Sequence, residues 1–237
     1  MKKLLITGAA LTALIGTPAL AADMALKAPP PPPPAPLSWT GFYLGLDAGA
    51  AWARDDVSPT IADGGTFPRS NRLRSSGILG GGTVGYNFQA GSVVFGVEGD
   101  FGGMGIGTQK ADVLGGTEID QINSGFYADA TGRLGFLATN AILLYGKGGY
   151  AFYDGKANTT TAIPGFAVGN SSTFNNGWTA GGGIEYKMTA NWSSKIEYLY
   201  YDFGSQTATL TGAAGVFPYT NHLKVNTLKF GLNYAFH

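Results

Sequence analysis

The chain ends "LKFGLNYAFH", and every second residue in that stretch is large and apolar: Leu228, Phe230, Leu232, Tyr234 and Phe236 alternate with Lys229, Gly231, Asn233 and Ala235. A repeat of two residues is that of a β-strand, with one greasy face and one small or polar face. Whether the greasy face meets a protein core or lipid decides what the rest of the chain must do.

The same alternation recurs in seven further segments. "FYLGLDAGAAW" sets Phe42, Leu44, Leu46 and Trp52 against Tyr43, Asp47 and Gly49, and "ILGGGTVGYNF" sets Ile78, Val84, Tyr86 and Phe88 against Leu79, Thr83 and Asn87. "VVFGVEGDF", "FYADATGRLGF", "ILLYGKGGYAF", "WTAGGGIEYKM" and, less cleanly, "SKIEYLYYDF" follow. The small and polar faces carry Asp47, Glu98, Asp100, Asp129, Arg133, Lys147, Glu185, Lys195, Glu197 and Lys229. Between these strands, tight turns at "QAGS", "LATN" and "TANW" alternate with long stretches rich in Gly, Thr, Asn and Asp, at Arg54–Ser75, Gly102–Ile122, Asp154–Asn175 and Gly204–Leu223. Strict alternation of short and long connections predicts an up-and-down antiparallel sheet with turns on one rim and loops on the other.

Phe42 and Trp52 share a face ten residues apart. At ~3.4 Å per residue and a tilt of ~40° they are separated by roughly 26 Å, against the ~25 Å apolar band of a membrane barrel. Aromatic residues bracket the other faces at Tyr86, Phe88, Tyr150, Phe152, Trp178, Tyr186, Tyr234 and Phe236, as two interfacial belts would. A soluble sandwich would turn its other faces to water, yet those faces are mostly Gly, Ala and Thr with isolated charges. Charged residues make up 13% of the chain, about half of the ~25% usual in soluble domains. The pattern therefore predicts an all-β fold: an eight-stranded antiparallel up-and-down transmembrane β-barrel over residues 39–237.

The N-terminal end sets the compartment. Met1-Lys2-Lys3, an apolar run from Leu4 to Gly16 and small residues at Ala19 and Ala21 read as a cleaved signal peptide, residues 1–21, with Ala22 as the neighbouring alternative cut. Residues 22–38 follow as a proline-rich periplasmic arm in which Pro29 to Pro34 and Pro36 impose polyproline II, a stiff spacer of roughly 25 Å at ~3.1 Å per residue. The chain has no cysteine, which excludes disulfides, thiolate metal sites and a lipidated N-terminal cysteine. Its formal net charge is zero, so nothing marks a nucleic-acid partner.

"WTGFYLGLDAGAAW" after a proline-rich stretch, "GGTVGYNFQAGSVVFGVEGD", "GRLGF" before a short turn, "LLYGKGGYAF", "WTAGGGIEYKMTANWSSKIEYLYYDFG" and a closing strand with Phe236 together resemble the small porin-family outer-membrane proteins of α-proteobacteria, eight-stranded barrels of the surface-antigen type. The match runs from Trp39 onward. The resemblance implies residence in the Gram-negative cell outer membrane, contact with its lipids and lipopolysaccharide, and recognition of the C-terminal strand by the barrel assembly machinery. Such barrels usually end on an aromatic residue, whereas here His237 follows Phe236.

Little in the chain suggests catalysis. Gly80 to Gly85 satisfies G-x-G-x-x-G, but the glycines lie inside an alternating strand with no helix after them, so the dinucleotide reading fails. The histidines are His222 and His237, with no Ser–His spacing or metal-ligand cluster; no cofactor or metal is expected. Eight strands enclose an interior that side chains just fill, so the inward charges must pair. The expected role is a structural barrel supporting the envelope and presenting four external loops, its lumen plugged by ion pairs. The alternatives are a small diffusion pore and, more remotely, a barrel enzyme acting on lipids. Within the plug, Arg133 is expected to neutralise Glu98 and Asp100 on the strand beside it, and the arm to make periplasmic contacts.

Overall fold

The computed structural model describes residues 37–59, 71–106, 109–112, 117–122, 125–161, 169–212 and 215–236. The signal peptide, the proline run at Pro29 to Pro36 and His237 lie outside the described residues. Ten strands occur in the order β1 (Gly41–Pro59), β2 (Asn71–Ala90), β3 (Val93–Ile106), β4 (Gln109–Asp112), β5 (Thr117–Ile122), β6 (Gly125–Thr139), β7 (Ile142–Thr161), β8 (Gly169–Lys187), β9 (Trp192–Gly212) and β10 (Gly215–Phe236).

Eight of them are the staves of a closed antiparallel barrel. Each stave pairs with the next along the chain (β1, β2, β3, β6, β7, β8, β9, β10), and β10 pairs back onto β1. That seam is continuous from Phe42↔Phe236 to Pro59↔Tyr219, so no unpaired sheet edge remains among the staves. The short connections are where the sequence places them. Gly91–Ser92 joins β2 to β3, with Gly91 in the left-handed region (φ 62°) that a tight hairpin turn requires. Asn140–Ala141 joins β6 to β7, and residues 188–191 join β8 to β9.

The long connections differ from expectation. Much of the stretches read as loops is strand: β7 and β8 stay paired out to Thr159↔Gly169, β9 and β10 out to Gly212↔Gly215, and β1 and β2 out to Val57↔Asn71. Gly102–Ile122 contains the end of β3 and a β4–β5 hairpin that lies against the far part of β7. The reason is that ladder hydrogen bonds use backbone groups alone. Thr- and Asn-rich segments show no apolar alternation, yet their N–H and C=O groups extend a register already set below them.

Side chains alternate strictly about the barrel wall. Leu46, Ile78, Val97 and Leu134 face outward, Ile78 being 78% exposed, while Asp47, Glu98 and Arg133 face inward with Glu197 wholly buried. The interior is layered. At the turn rim Trp39, Val94, Leu143 and Tyr145 cluster, with Leu137 against them. Charges fill the middle. Toward the loop rim an apolar layer gathers Leu79, Met104, Ile106, Tyr153, Phe203 and Val225. Leu79 is on the inner face as its parity predicts, whereas the gathering of apolar side chains into a layer was not expected.

Candidate functional site: a charged lumen between two aromatic belts

Every one of the ten predicted inward residues is buried: Asp47 on β1, Glu98 and Asp100 on β3, Asp129 and Arg133 on β6, Lys147 on β7, Glu185 on β8, Lys195 and Glu197 on β9, and Lys229 on β10. Their sequence parity puts them on one side of the wall, and the barrel's curvature brings residues of non-adjacent staves together. Lys147 is the centre. Its Nζ lies 2.6 Å from Glu98 Oε1, 2.5 Å from Asp100 Oδ2 and 3.1 Å from Glu197 Oε1. Lys195 reaches Glu98 at 3.2 Å and Asp100 at 3.9 Å; Lys229 reaches Asp100 at 3.4 Å and Glu197 at 3.3 Å. Three ammonium groups thus interleave with three carboxylates.

Arg133 does not sit where the sequence reading put it. In the β3–β6 register it faces Gly96, while Glu98 and Asp100 face Thr131 and Asp129. Its Nη1 still approaches Glu98 Oε2 at 3.4 Å, but its Nη2 donates to Glu185 on β8, across the lumen, and its guanidinium stacks 4.0 Å over the Tyr145 ring. Lys147, not Arg133, bridges the Glu98–Asp100 pair. Glu185 is completed by Ser193 Oγ at 2.5 Å and Asn233 Nδ2 at 2.9 Å.

The tyrosines of the inner face were not singled out in the sequence, although their parity displays them. Tyr43 donates to Glu98 Oε2 at 2.5 Å, Tyr145 to Glu197 Oε2 at 2.8 Å and Tyr201 to Asp129 Oδ2 at 2.9 Å. Thr83 donates to Asp100 Oδ1 at 2.5 Å. Gly85, level with Tyr43 on the neighbouring stave, makes the first of these possible: a Cβ there would lie 2.4 Å from the Tyr43 ring and hydroxyl. In so narrow a barrel, glycine on the inner face is room for a long neighbour.

Glu98, Asp100 and Glu197 bring carboxylate oxygens within 4.8 Å of one another. A cation entering there would have to displace the ammonium groups of Lys147, Lys195 and Lys229, so the cluster is an ion-pair lattice rather than a built metal centre. At the turn rim Trp39 is buried over the end of the lumen. Its backbone N–H donates to Gln89 Oε1 at 2.9 Å and its indole Nε1 to the Asn140 carbonyl at 3.2 Å. Lys187 Nζ stands 5.3 Å over the indole ring and donates to the Ser38 and Ala190 carbonyls.

Outside, the ten predicted interface aromatics all face away from the lumen and fall into two belts. Phe42, Tyr86, Phe88, Tyr186, Tyr234 and Phe236 ring the turn end, where Phe42 packs on Phe236 with ring centroids 5.9 Å apart. Trp52, Tyr150, Phe152 and Trp178 ring the loop end, joined by Tyr200, whose ring lies 5.4 Å from that of Trp178. Between the belts the wall presents Leu44, Leu46, Val97, Ile184, Ile196 and Phe230. A continuous apolar band of this kind does not face water.

The family model described as the outer membrane protein beta-barrel domain matches residues 7–236. The chain belongs to that family. It is 32% identical to the 31 kDa outer-membrane immunogenic protein of Brucella melitensis over 96% of this chain and 98% of the relative. Identity to the 25 kDa outer-membrane immunogenic protein of Brucella abortus is 30%, covering 100% and 99%, and to the 22 kDa outer membrane protein of Rhizobium leguminosarum 32%, covering 84% and 79%. Among solved structures, the outer membrane protein OprG from Pseudomonas aeruginosa superposes with a TM-score of 0.51 over 84% of this chain and 97% of that one; at 17% identity this speaks for the fold alone. As a member of the family, this chain is a β-barrel of the cell outer membrane. The resemblance to α-proteobacterial surface antigens drawn from the sequence and the relatives' names agree.

Proposed function

We propose that the protein is a non-conducting structural barrel: it stabilises the outer membrane, holds its strand extensions and loops outside the cell, and keeps its lumen shut with the ion-pair lattice. The observation that carries this reading is the Lys147 centre, where ammonium and carboxylate groups of β3, β7, β9 and β10 interleave across the middle of the lumen. The apolar layer above and the buried Trp39 below support it, since hydrated ions would meet a low-dielectric barrier on either side. Planar-bilayer recording of refolded protein tests it: the expected result is a flat current trace, and reproducible channel steps would promote the small diffusion pore.

In this orientation the turn rim, where the described residues begin at Leu37 and end at Phe236, faces the periplasm. Single cysteines introduced at Ala90 and Thr139 should stay unlabelled by an impermeant reagent on intact cells, and cysteines at Ser58 or Thr160 should label. Labelling at the turn positions would invert the barrel.

A lipid-modifying enzyme is the remaining alternative, and His222 is where it would have to reside. Its Nε2 is 2.8 Å from Asp202 Oδ1, and Ser205 is its register neighbour on β9. Among the described residues no hydroxyl is hydrogen-bonded to that imidazole, so the activated nucleophile such chemistry needs is not assembled. The relatives carry names of immunogenic outer-membrane proteins, which supports surface presentation. Lipopolysaccharide, the assembly machinery acting on the last strand, and contacts of the proline arm complete the proposed partners.

A further inference from the structure

Cations on this barrel have two places only, among the residues whose side chains are described. Arg133, Lys147, Lys187, Lys195 and Lys229 are buried inside. Arg54, Arg72, Arg74 and Lys224 all face outward at the loop end, on the adjoining staves β2, β1 and β10. Register makes three of them a row: Arg54 is level with Arg74 on one side and with Lys224 on the other.

The row stands two residues beyond Trp52, which is level with Ser76 and Asn226. At ~3.4 Å per residue it therefore lies about 7 Å above the belt, at the depth of lipid headgroups. Beneath it the wall is apolar, with Ile78 and Leu228 exposed on the flanking staves. The neighbouring acids are occupied. Asp56 is 2.8 Å from Arg72 Nε, and that hydrogen bond, against a slight burial effect and with Lys224 and Arg54 adding to it, holds its carboxyl below the usual range. Asp202, level with Lys224, is bonded to His222 and to the Gly204 amide. Among the described residues, Arg54 and Lys224 form no ion pair.

We infer that this row is a docking surface for the polyanionic headgroup of an outer-leaflet glycolipid, one carrying more than one phosphate. Two inter-strand spacings of ~4.8 Å make the row about 10 Å wide, too broad for a single phosphate and suited to two. Guanidinium groups grip phosphate oxygens in a bidentate fork, while the acyl chains of the same molecule run down the apolar wall past Ile78 and Leu228. A lipid is favoured over a free anion because the cations sit directly over a hydrocarbon-facing surface. The inference deepens the proposed contact with lipopolysaccharide and rests on the loop rim meeting the outer leaflet.

The test is binding of bisphosphorylated lipid A to the folded full chain in zwitterionic detergent micelles, read by native mass spectrometry, for wild type and for Arg54→Gln/Arg74→Gln/Lys224→Gln. At about a fivefold effect per basic residue at an anionic surface, the triple variant should bind roughly a hundredfold more weakly. Dephosphorylated lipid A and phosphatidylglycerol should bind wild type no better than the variant. Equal binding by the two proteins, equal binding of phosphatidylglycerol, or displacement of lipid A by millimolar inorganic phosphate would each overturn the proposal. If the triple variant does not fold, Arg54→Gln alone should lose about fivefold, and Arg54→Lys/Arg74→Lys, which keeps the charges and loses the forks, should bind more weakly than wild type and more tightly than Arg54→Gln/Arg74→Gln; an unchanged Arg54→Gln overturns it. Micelle binding is indifferent to orientation in the cell, so failure of this surface and failure of the cysteine-labelling result are separate outcomes.

Discussion

Lys147→Ala should lower the barrel's stability by about 3–5 kcal/mol, the range for removing one partner from buried ion pairs, measured by urea unfolding in lipid vesicles. The substitution leaves Glu98, Asp100 and Glu197 facing one another with the more distant cation contacts of Arg133, Lys195 and Lys229 to compensate. Lys195→Ala, which removes contacts of 3.2 and 3.9 Å to Glu98 and Asp100, should cost less. Arg133→Ala belongs with Lys147→Ala, because Glu185 would lose its one ion pair among the described residues and Tyr145 its stacked guanidinium. All three variants should remain electrically silent in planar bilayers. Should Lys147→Ala match wild type in urea while wild type conducts, the lattice would be pathway lining instead of a plug.

The second large effect is expected in the apolar layer. Phe203 is wholly buried, with its ring centroid 5.8 Å from that of Tyr201 and 5.6 Å from that of Tyr153, two staves away on β7. Phe203→Ala should cost ~3–5 kcal/mol, as large-to-small changes in packed interiors do. Current should nevertheless stay flat, because the lattice below is untouched. Only a combination that dismantles both layers, such as Phe203→Ala with Tyr153→Ala and Lys147→Ala, should give measurable conductance. Steps from Phe203→Ala alone would show that the ion-pair lattice is no barrier by itself.

What the sequence displays and what it hides follow from different distances along the chain. Parity is local. A residue at Glu98 or Tyr43 points inward because its neighbours Val97 and Phe42 point outward, and the tight turns at Gly91–Ser92 and Asn140–Ala141 then fix each hairpin's register. The fold class, the inward set and the aromatic belts were therefore legible. Partners across the lumen are not local: Lys147 meets Glu197, and Arg133 meets Glu185, only once strand stagger and closure have set heights around the ring. Adjacency on the sheet suggested Arg133 for Glu98 and Asp100, and stagger awarded them to Lys147. The extended strands beyond the belts were missed for the opposite reason. Backbone pairing there continues without any side-chain pattern to betray it.

Trp39 was absent from the predicted inner set because it precedes the first alternating strand. It packs into the turn-rim cluster with Val94, Leu143 and Tyr145, and period two carries no sign of a contact that exists only after closure.

The lattice also constrains how the barrel can come into being. In chain order, among the described residues β1 to β7 bring buried Asp47, Asp55, Glu98, Asp100 and Asp129 with Arg133 and Lys147 to answer them, whereas β8 to β10 bring Glu185 and Glu197 with Lys187, Lys195 and Lys229. A nascent sheet that halted before its last staves would hold an acidic trough, and stripping water from that trough without its lysines costs several kcal/mol for each uncompensated ion. The late strands are therefore electrostatic counterparts of the early ones, and the joining of β10 to β1 comes with the contacts of Lys229 to Asp100 and Glu197.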